Sequence, residues 1–340
     1  MNEFRTIVGI PDFPWKNGYG KSSVFMGSCF TENIGGRMQD QKYNVDLNPF
    51  GILYNPASVA NSIRILLEGK VFSSGNLVMN DGLWHSFNHH SRFSSANMEE
   101  TLGKINNRIK FSAAFIKTAD FLFITFGTAW VYELKDSGEI VSNCHKIPAK
   151  KFRRYRLSVD EIVQEYCRLL EDIWGINANI KVIFTVSPIR HWKDGAMGNQ
   201  LSKATLLLAV NRIIEVFGAG TCGYFPSFEI VMDELRDYRF YAEDMFHLSK
   251  TANDYIWERF EAALIDKESQ EMGAEIAKIR KAFSHRPFNP HTKEHLRFLY
   301  ISMEKARELD SCHPYINLKL EIDYFNEQIE EISGNTNLSG

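Results

Sequence analysis

Three short and almost unbroken apolar runs, "SSVFMG" (22–27), "DFLFITFG" (120–127) and "IKVIFTVSP" (180–188), are each followed by a longer helix-patterned stretch. This alternation constrains the fold more than any other feature of the chain. The runs at 121–126 and 181–187 offer apolar side chains to both faces of an extended strand, as central parallel strands do when helices cover the sheet on both sides. "NVDLN" (44–48) reads as a further strand and "YFPSFEIV" (224–231) as a weaker one. Helical patterns lie at about 31–40, 56–69, 98–118, 158–175, 198–217 and 249–266. Ser158 and Glu161 have the spacing of a capping box at the head of the fourth. Strand then helix, repeated about five times, predicts a three-layer α/β domain with a mostly parallel five-stranded sheet.

Two regions break that rhythm. Residues 71–97, "VFSSGNLVMNDGLWHSFNHHSRFSSAN", are rich in Ser, Asn, His and aromatics, and their length suits a lid or binding loop. Beyond residue 266 the strands stop, and 267–332 reads as an extension of charged amphipathic helices. These helices are expected to pack on the α/β domain, 1–266, or on a second copy as a homodimer. The last residues, 333–340, read as a disordered tail. The sequence has no internal repeat.

With 340 residues, 44% of them hydrophobic, the chain has the material for a large core. A formal charge of -3 gives no global attraction to nucleic acid or an anionic membrane, so neither is expected as a partner. The opening residues carry no apolar segment of signal-peptide length, and no window approaches the roughly 20 apolar residues that span a bilayer. The expected location is cytoplasmic. The five cysteines, Cys29, Cys144, Cys167, Cys222 and Cys312, contain no CxxC pair, which argues against a disulfide framework and a thiolate zinc site. His85, His89 and His90 share one loop but lack an acidic partner at metal-binding spacing, so no metal or other cofactor is expected.

In doubly wound sheets ligands sit at the carboxyl ends of the strands. The residues that follow the apolar runs are Gly27-Ser28-Cys29, then Asn48 to Gly51, then Gly127-Thr128-Ala129-Trp130, then Arg190 and His191. Near the end of the α/β region Asp244 precedes His247 by three residues. A nucleophile needs a base, and the base needs a group that orients it. Cys29 or Ser28 fits the first role, His247 the second and Asp244 the third. Amides at the head of the following helix favour a thiolate or oxyanion, and the Gly51 N–H is a further candidate donor. Ser28 has a competing reading as the helix N-cap. The basic stretch "HKIPAKKFRRYR" (145–156) is ordinary solvated surface or a contact for an anionic substrate.

The motifs "GSCFTENIGGRM", "NPFGILYNPASVANSI", "FGTAWVYE", "NCHKIP", "SPIRHW" and "YFPSFEIVMDELRDYRFYAEDMFHLS" together resemble the GSCFA family, which belongs with the SGNH (GDSL-like) hydrolases. The resemblance covers about residues 20–260. It implies a flavodoxin-like α/β/α fold and hydrolysis of acyl esters, often acetyl or other acyl groups on sugars and lipids. It also implies a nucleophile in the first block, a glycine in the second, an asparagine in the third and an Asp-x-x-His pair in the last. Asp244, His247 and Gly51 match. Aligned on the glycine, the first block places Cys29 where the serine nucleophile stands and Ser28 where Asp stands. The third block lacks its asparagine, since Gly127-Thr128 is followed by Ala129-Trp130. Asn48, Asn55, Asn143 or the Thr128 hydroxyl can replace that donor. Trp84 and His85 in the long loop are expected to cover a small-molecule or carbohydrate acyl substrate, and His145 and His191 to line the pocket or hold loops. Acyl transfer with the same groups, or a binding and assembly role after loss of the third block, are the alternatives.

Overall fold

The computed structural model describes residues 5–336. The elements are β1(Ser22–Gly27), α1(Cys29–Asp40), β2(Asn44–Leu47), α2(Pro56–Glu68), β3(Val78–Asn80), β4(Leu83–His85), α3(Met98–Ile116), β5(Phe121–Phe126), β6(Trp130–Leu134), β7(Ile140–Val141), β8(Phe152–Arg156), α4(Val159–Ile176), β9(Lys181–Val186), α5(Gly195–Phe217), β10(Cys222–Tyr224), the single turn α6(Ser227–Glu229), α7(Lys250–Leu264), α8(Lys267–Phe283), α9(Lys293–Cys312) and α10(Lys319–Thr336). The described residues form two compact units, one of residues 5–16, 21–36 and 45–264, the other of 17–20, 37–44 and 265–336.

The first unit is built on a five-stranded sheet in the order β10-β9-β5-β1-β2. In chain order of the five strands this is 2-1-3-4-5, the flavodoxin-like arrangement that the family resemblance implies. The β1–β5, β5–β9 and β9–β10 pairings are parallel. Side chains alternate across the sheet, as strand geometry requires. Val24, Met26, Leu122, Ile124, Val182 and Phe184 enter one apolar layer, which also holds Ile63 of α2, Ile105 of α3, Leu169 of α4 and Leu206 of α5. Phe25 and Phe123 point the other way and stack at 4.2 Å. Phe260 of α7 packs on Phe123 at 5.5 Å, and Phe30 and Ile34 of α1 share this layer. Helices therefore cover both faces, which is why β1 and β5 are buried along nearly their whole length.

Several boundaries differ from those read in the sequence. α1 begins at Cys29, two residues earlier than expected. The strand expected over 224–231 ends at Tyr224: Pro226 has no N–H for a sheet ladder, and the chain turns into α6 and a π-helical turn at Ile230–Glu234. The Ser158–Glu161 capping box is present, with Ser158 Oγ accepting from the Glu161 N–H at 3.2 Å. The loop over 71–97 carries the β3–β4 hairpin and buries Phe72, His89 and Phe93. Strands β6, β7 and β8 form a small antiparallel sheet.

In the second unit, α8, α9 and α10 bury Ile276, Ile279, Leu299, Met303 and Phe325. Glu321 is fully buried, and its carboxylate receives Lys42 and Arg280, each at 2.8 Å. Two cations on one buried acid offset its desolvation and hold its pKa below the usual carboxylate range. α10 runs through Thr336, into the first residues of the expected tail, while 337–340 lie outside the described residues. Among the described residues no helix is long and apolar enough to cross a membrane.

Candidate active site

The turn after β1 has a geometry that only glycine accommodates comfortably. Gly27 has φ +142°, and a Cβ added there would lie 2.2 Å from Thr125 O on β5. Its N–H donates to Asn48 Oδ1 at 3.0 Å, and its carbonyl accepts from the Leu53 N–H at 2.9 Å. The turn is thus clamped between β5 and the loop after β2.

The next two residues differ in access. Ser28 is buried, and its Oγ has no hydrogen-bond partner among the described residues. Its side chain does not cap α1. Cys29, the first residue of α1, is half-buried. Burial pushes its thiol pKa up, opposed by the N–H groups of Cys29 and Phe30 and by the Lys203 charge, while Glu32 adds to the rise. The amides at the helix head act in the expected direction, but desolvation outweighs them.

Several residues expected to hold the oxyanion have structural duties instead. Asn48 is buried at φ 43°, and its side chain ties Gly27 N–H to Glu32. Gly51 has φ +82°, and its N–H donates to Asn48 O at 2.8 Å, so its contribution is shape rather than a free donor. A Cβ on Gly51 would meet His90 Cβ at 2.3 Å, which makes this turn the seat of the 71–97 loop. Gly127 and Thr128 both donate their N–H to Tyr54 O, and the Thr128 hydroxyl bonds Ser202 Oγ at 3.0 Å.

The structure brings Asn55, Thr128, Asn143 and His191 together with Tyr54 and Trp130 around a cleft of about 220 Å³. Asn55 Oδ1 caps α2 through the Ser58 N–H at 2.8 Å, and Asn143 Oδ1 accepts from the His145 N–H at 2.9 Å. Both oxygens are engaged, so the amide nitrogens are the donors these two residues can turn to a ligand. His191 Nδ1 lies 3.2 Å from Asp194 Oδ2, and the buried Asp194 also pairs with Arg154. His85 and His145 do not line this cleft. They stack at 4.3 Å, with His85 on Ser94 Oγ and His145 on Ser86 O, and burial depresses the His145 pKa to about 4. Trp84 also lies outside the lining, and its backbone N–H donates to Ser95 O at 2.8 Å. Among the described residues no group of three or more His, Cys, Asp or Glu side chains is placed to hold a metal.

Asp244 and His247 form the pair that their spacing implies. Asp244 Oδ2 lies 2.5 Å from His247 Nδ1, and Asp244 Oδ1 accepts the N–H groups of Phe246 and His247, each at 2.9 Å. With Nδ1 committed, Nε2 is the ring nitrogen left for proton transfer. Both side chains are exposed, and no hydrogen bond among the described residues joins His247 to Cys29 or Ser28. The pair ends three residues before the first residue of α7, whose Asn253 accepts from Asn33 Nδ2 of α1 at 3.2 Å. That contact sets the head of α7 beside the helix that opens with Cys29.

The hydrogen bond from His247 and those from two backbone N–H groups hold the Asp244 pKa at about 2. Its stabilising effect is therefore present above the ordinary carboxylate range and is lost as pH falls through about 2. An acid limb in a pH–rate profile above pH 4 does not belong to Asp244.

The sequence reading missed a polar face on α5. Asn199 Oδ1 accepts the His191 N–H at 2.9 Å, and Ser202 Oγ accepts the Ala129 N–H at 2.8 Å. Lys203 Nζ donates to Gly127 O and Ser187 O, each at 2.6 Å. The spacing 199, 202, 203 puts all three on one side of the helix. The available signal was a lysine beside the apolar run "ATLLLAV".

No curated protein matches the chain. Among solved structures it is similar to an acetyl xylan esterase (Est2A) from the rumen bacterium Butyrivibrio proteoclasticus, with 11% identity and a TM-score of 0.37, over 72% of this chain and 64% of that one. The chain thus spans less than two thirds of that structure, and the similarity is too remote to bear on chemistry. Residues 22–260 match the description "GSCFA family" and residues 276–331 match "GSCFA domain protein, C-terminal domain". With the motif order of the first unit and most of the chain matched, this protein belongs to the GSCFA family.

Proposed function

We propose that the chain hydrolyses acyl esters, with Cys29 as nucleophile, His247 as general base and acid, and Asp244 as the group that orients His247. The observation that carries this reading is the half-buried Cys29 at the head of α1, with α7 beside it and the Asp244–His247 pair at the start of α7. His247 Nε2 takes the thiol proton as the sulfur attacks the acyl carbon. The tetrahedral intermediate then collapses to a thioester, and the imidazolium returns the proton to the departing alkoxide. Water, deprotonated by the same nitrogen, releases the acid and restores the thiol. The N–H groups of Cys29 and Phe30, among those a helix head leaves without intrahelical partners, serve as oxyanion donors. The Asn55 and Asn143 amides at the cleft supplement them in place of the missing third-block asparagine.

The mix of aromatic and amide groups around the cleft suits a polar, ring-bearing carrier of the acyl group, such as a carbohydrate. Hydrolysis of p-nitrophenyl acetate tests the assignment. His247→Ala is expected to lower kcat about 10²–10⁴-fold with little change in KM. Activity retained in His247→Ala but lost in His191→Ala would transfer the base to the His191–Asp194 pair and overturn this reading.

A further inference from the structure

Lysine is seldom withdrawn fully from water without a counter-charge, yet Lys203 is wholly buried. Its ammonium rests on two neutral carbonyls, Gly127 O and Ser187 O, which directly follow β5 and β9. Gly127 lies against the nucleophile turn, since a Cβ added there would be 3.4 Å from Ser28 Cβ. The cation is therefore anchored at the floor of the turn that carries Cys29. The two groups interact in both directions: Lys203 favours the Cys29 thiolate, and that thiolate favours the Lys203 ammonium.

We propose that Lys203 is a positioning cation for Cys29: fixed on the Gly127 and Ser187 carbonyls, its ammonium stabilises the thiolate and so raises the reactivity of the sulfur. Other charged and titratable groups face the pair. Arg190, in the loop after β9, opposes the Lys203 charge, Glu32 on α1 opposes the thiolate, and the Tyr54 hydroxyl is pushed to higher pKa by burial and by Cys29 and Glu32. Burial lowers the Lys203 pKa to about 7. The pair then titrates as a unit. Thiol with neutral amine and thiolate with ammonium hold the same number of protons, so their ratio does not change with pH. This predicts a thiolate population that rises up to about pH 7, levels off, and rises again only when the pair loses its second proton.

The inference rests on the assignment of Cys29 as nucleophile, but its readout needs no substrate. Alkylation of the full chain by iodoacetamide, resolved for Cys29 by peptide mass spectrometry, is expected to show this two-step profile. Lys203→Met should give a single step and alkylation a few-fold slower at pH 7. A single-step wild-type profile that superimposes on folded Lys203→Met overturns the proposal. Should Lys203→Met fail to fold, the wild-type profile decides alone, with the plateau supporting the proposal and its absence overturning it. Two-step alkylation in a protein that hydrolyses no ester leaves the coupling standing and removes the hydrolase reading. Hydrolysis with single-step alkylation does the reverse.

Discussion

Replacing Cys29 by alanine is expected to lower kcat for acyl-ester hydrolysis about 10⁴-fold, while Ser28→Ala changes it by no more than a few-fold. The two atoms are one residue apart but occupy different environments. The Cys29 side chain stands half-buried at the head of α1 with two backbone N–H groups directed at it, whereas Ser28 Oγ is enclosed without a hydrogen-bond partner. Stability should follow the opposite order of interest. Deleting a buried hydroxyl that bonds to nothing removes a desolvation cost, so Ser28→Ala is expected to be neutral or slightly stabilising. Cys29→Ala should cost no more than about 1 kcal/mol. Steady-state kinetics and urea melts of the two variants, made in parallel, separate these effects. Loss of activity in Ser28→Ala with survival in Cys29→Ala would move the attack to oxygen, and survival in both would end the covalent mechanism.

Gly27→Ala is expected to cost about 3–5 kcal/mol, the largest stability effect of a single methyl group near the site. Two penalties coincide there. A φ of +142° is one that side-chain-bearing residues rarely adopt, and the added carbon would sit 2.2 Å from Thr125 O. Backbone must move to relieve that contact, and Gly27 is paired with Thr125 in the β1–β5 register. Opening the pair threatens the Ser28 N–H to Thr125 O bond and displaces the turn that carries Cys29. Activity should fall with stability. Gly51→Ala, at φ +82° and 2.3 Å from His90 Cβ, should cost less because its obstacle belongs to a surface-attached loop rather than to a central strand. The urea midpoint at constant m-value measures both. A loss below about 1 kcal/mol for Gly27→Ala would contradict the described turn.

How far the sequence could be read depended on how local each cause was. The parallel strands were legible because "FLFITF" and "KVIFTV" are apolar at both side-chain parities, which has few explanations other than a sheet covered on both faces. The α4 capping box was legible because its two partners lie three residues apart. Asp244 and His247 were legible as a pair for the same reason: a three-residue turn suffices to join them. The end of β10 was misjudged because "YFPSFEIV" keeps an apolar pattern beyond the point where Pro226 removes a ladder donor.

What could not be read in advance depends on contacts made across long stretches of chain. Asn48 and Gly51 have the residue types of oxyanion donors, but the fold directs the Asn48 side chain to Gly27 and the Gly51 N–H to Asn48 O. Lys203 is 174 positions from Cys29 in sequence, and nothing local says that it is buried. His191 and Asp194 are only three apart, yet their importance comes from Arg154 on β8, which joins them from another sheet.

The layer order, the carboxyl edge where chemistry belongs and the residue types present there were legible in the chain alone, because they follow from periodicity and short spacings. Which of Ser28 and Cys29 is accessible, which amides are already engaged and where a buried cation stands emerge once the chain is folded. Burial and hydrogen-bond partnership arise when distant segments meet, and they govern whether a side chain's chemistry is available.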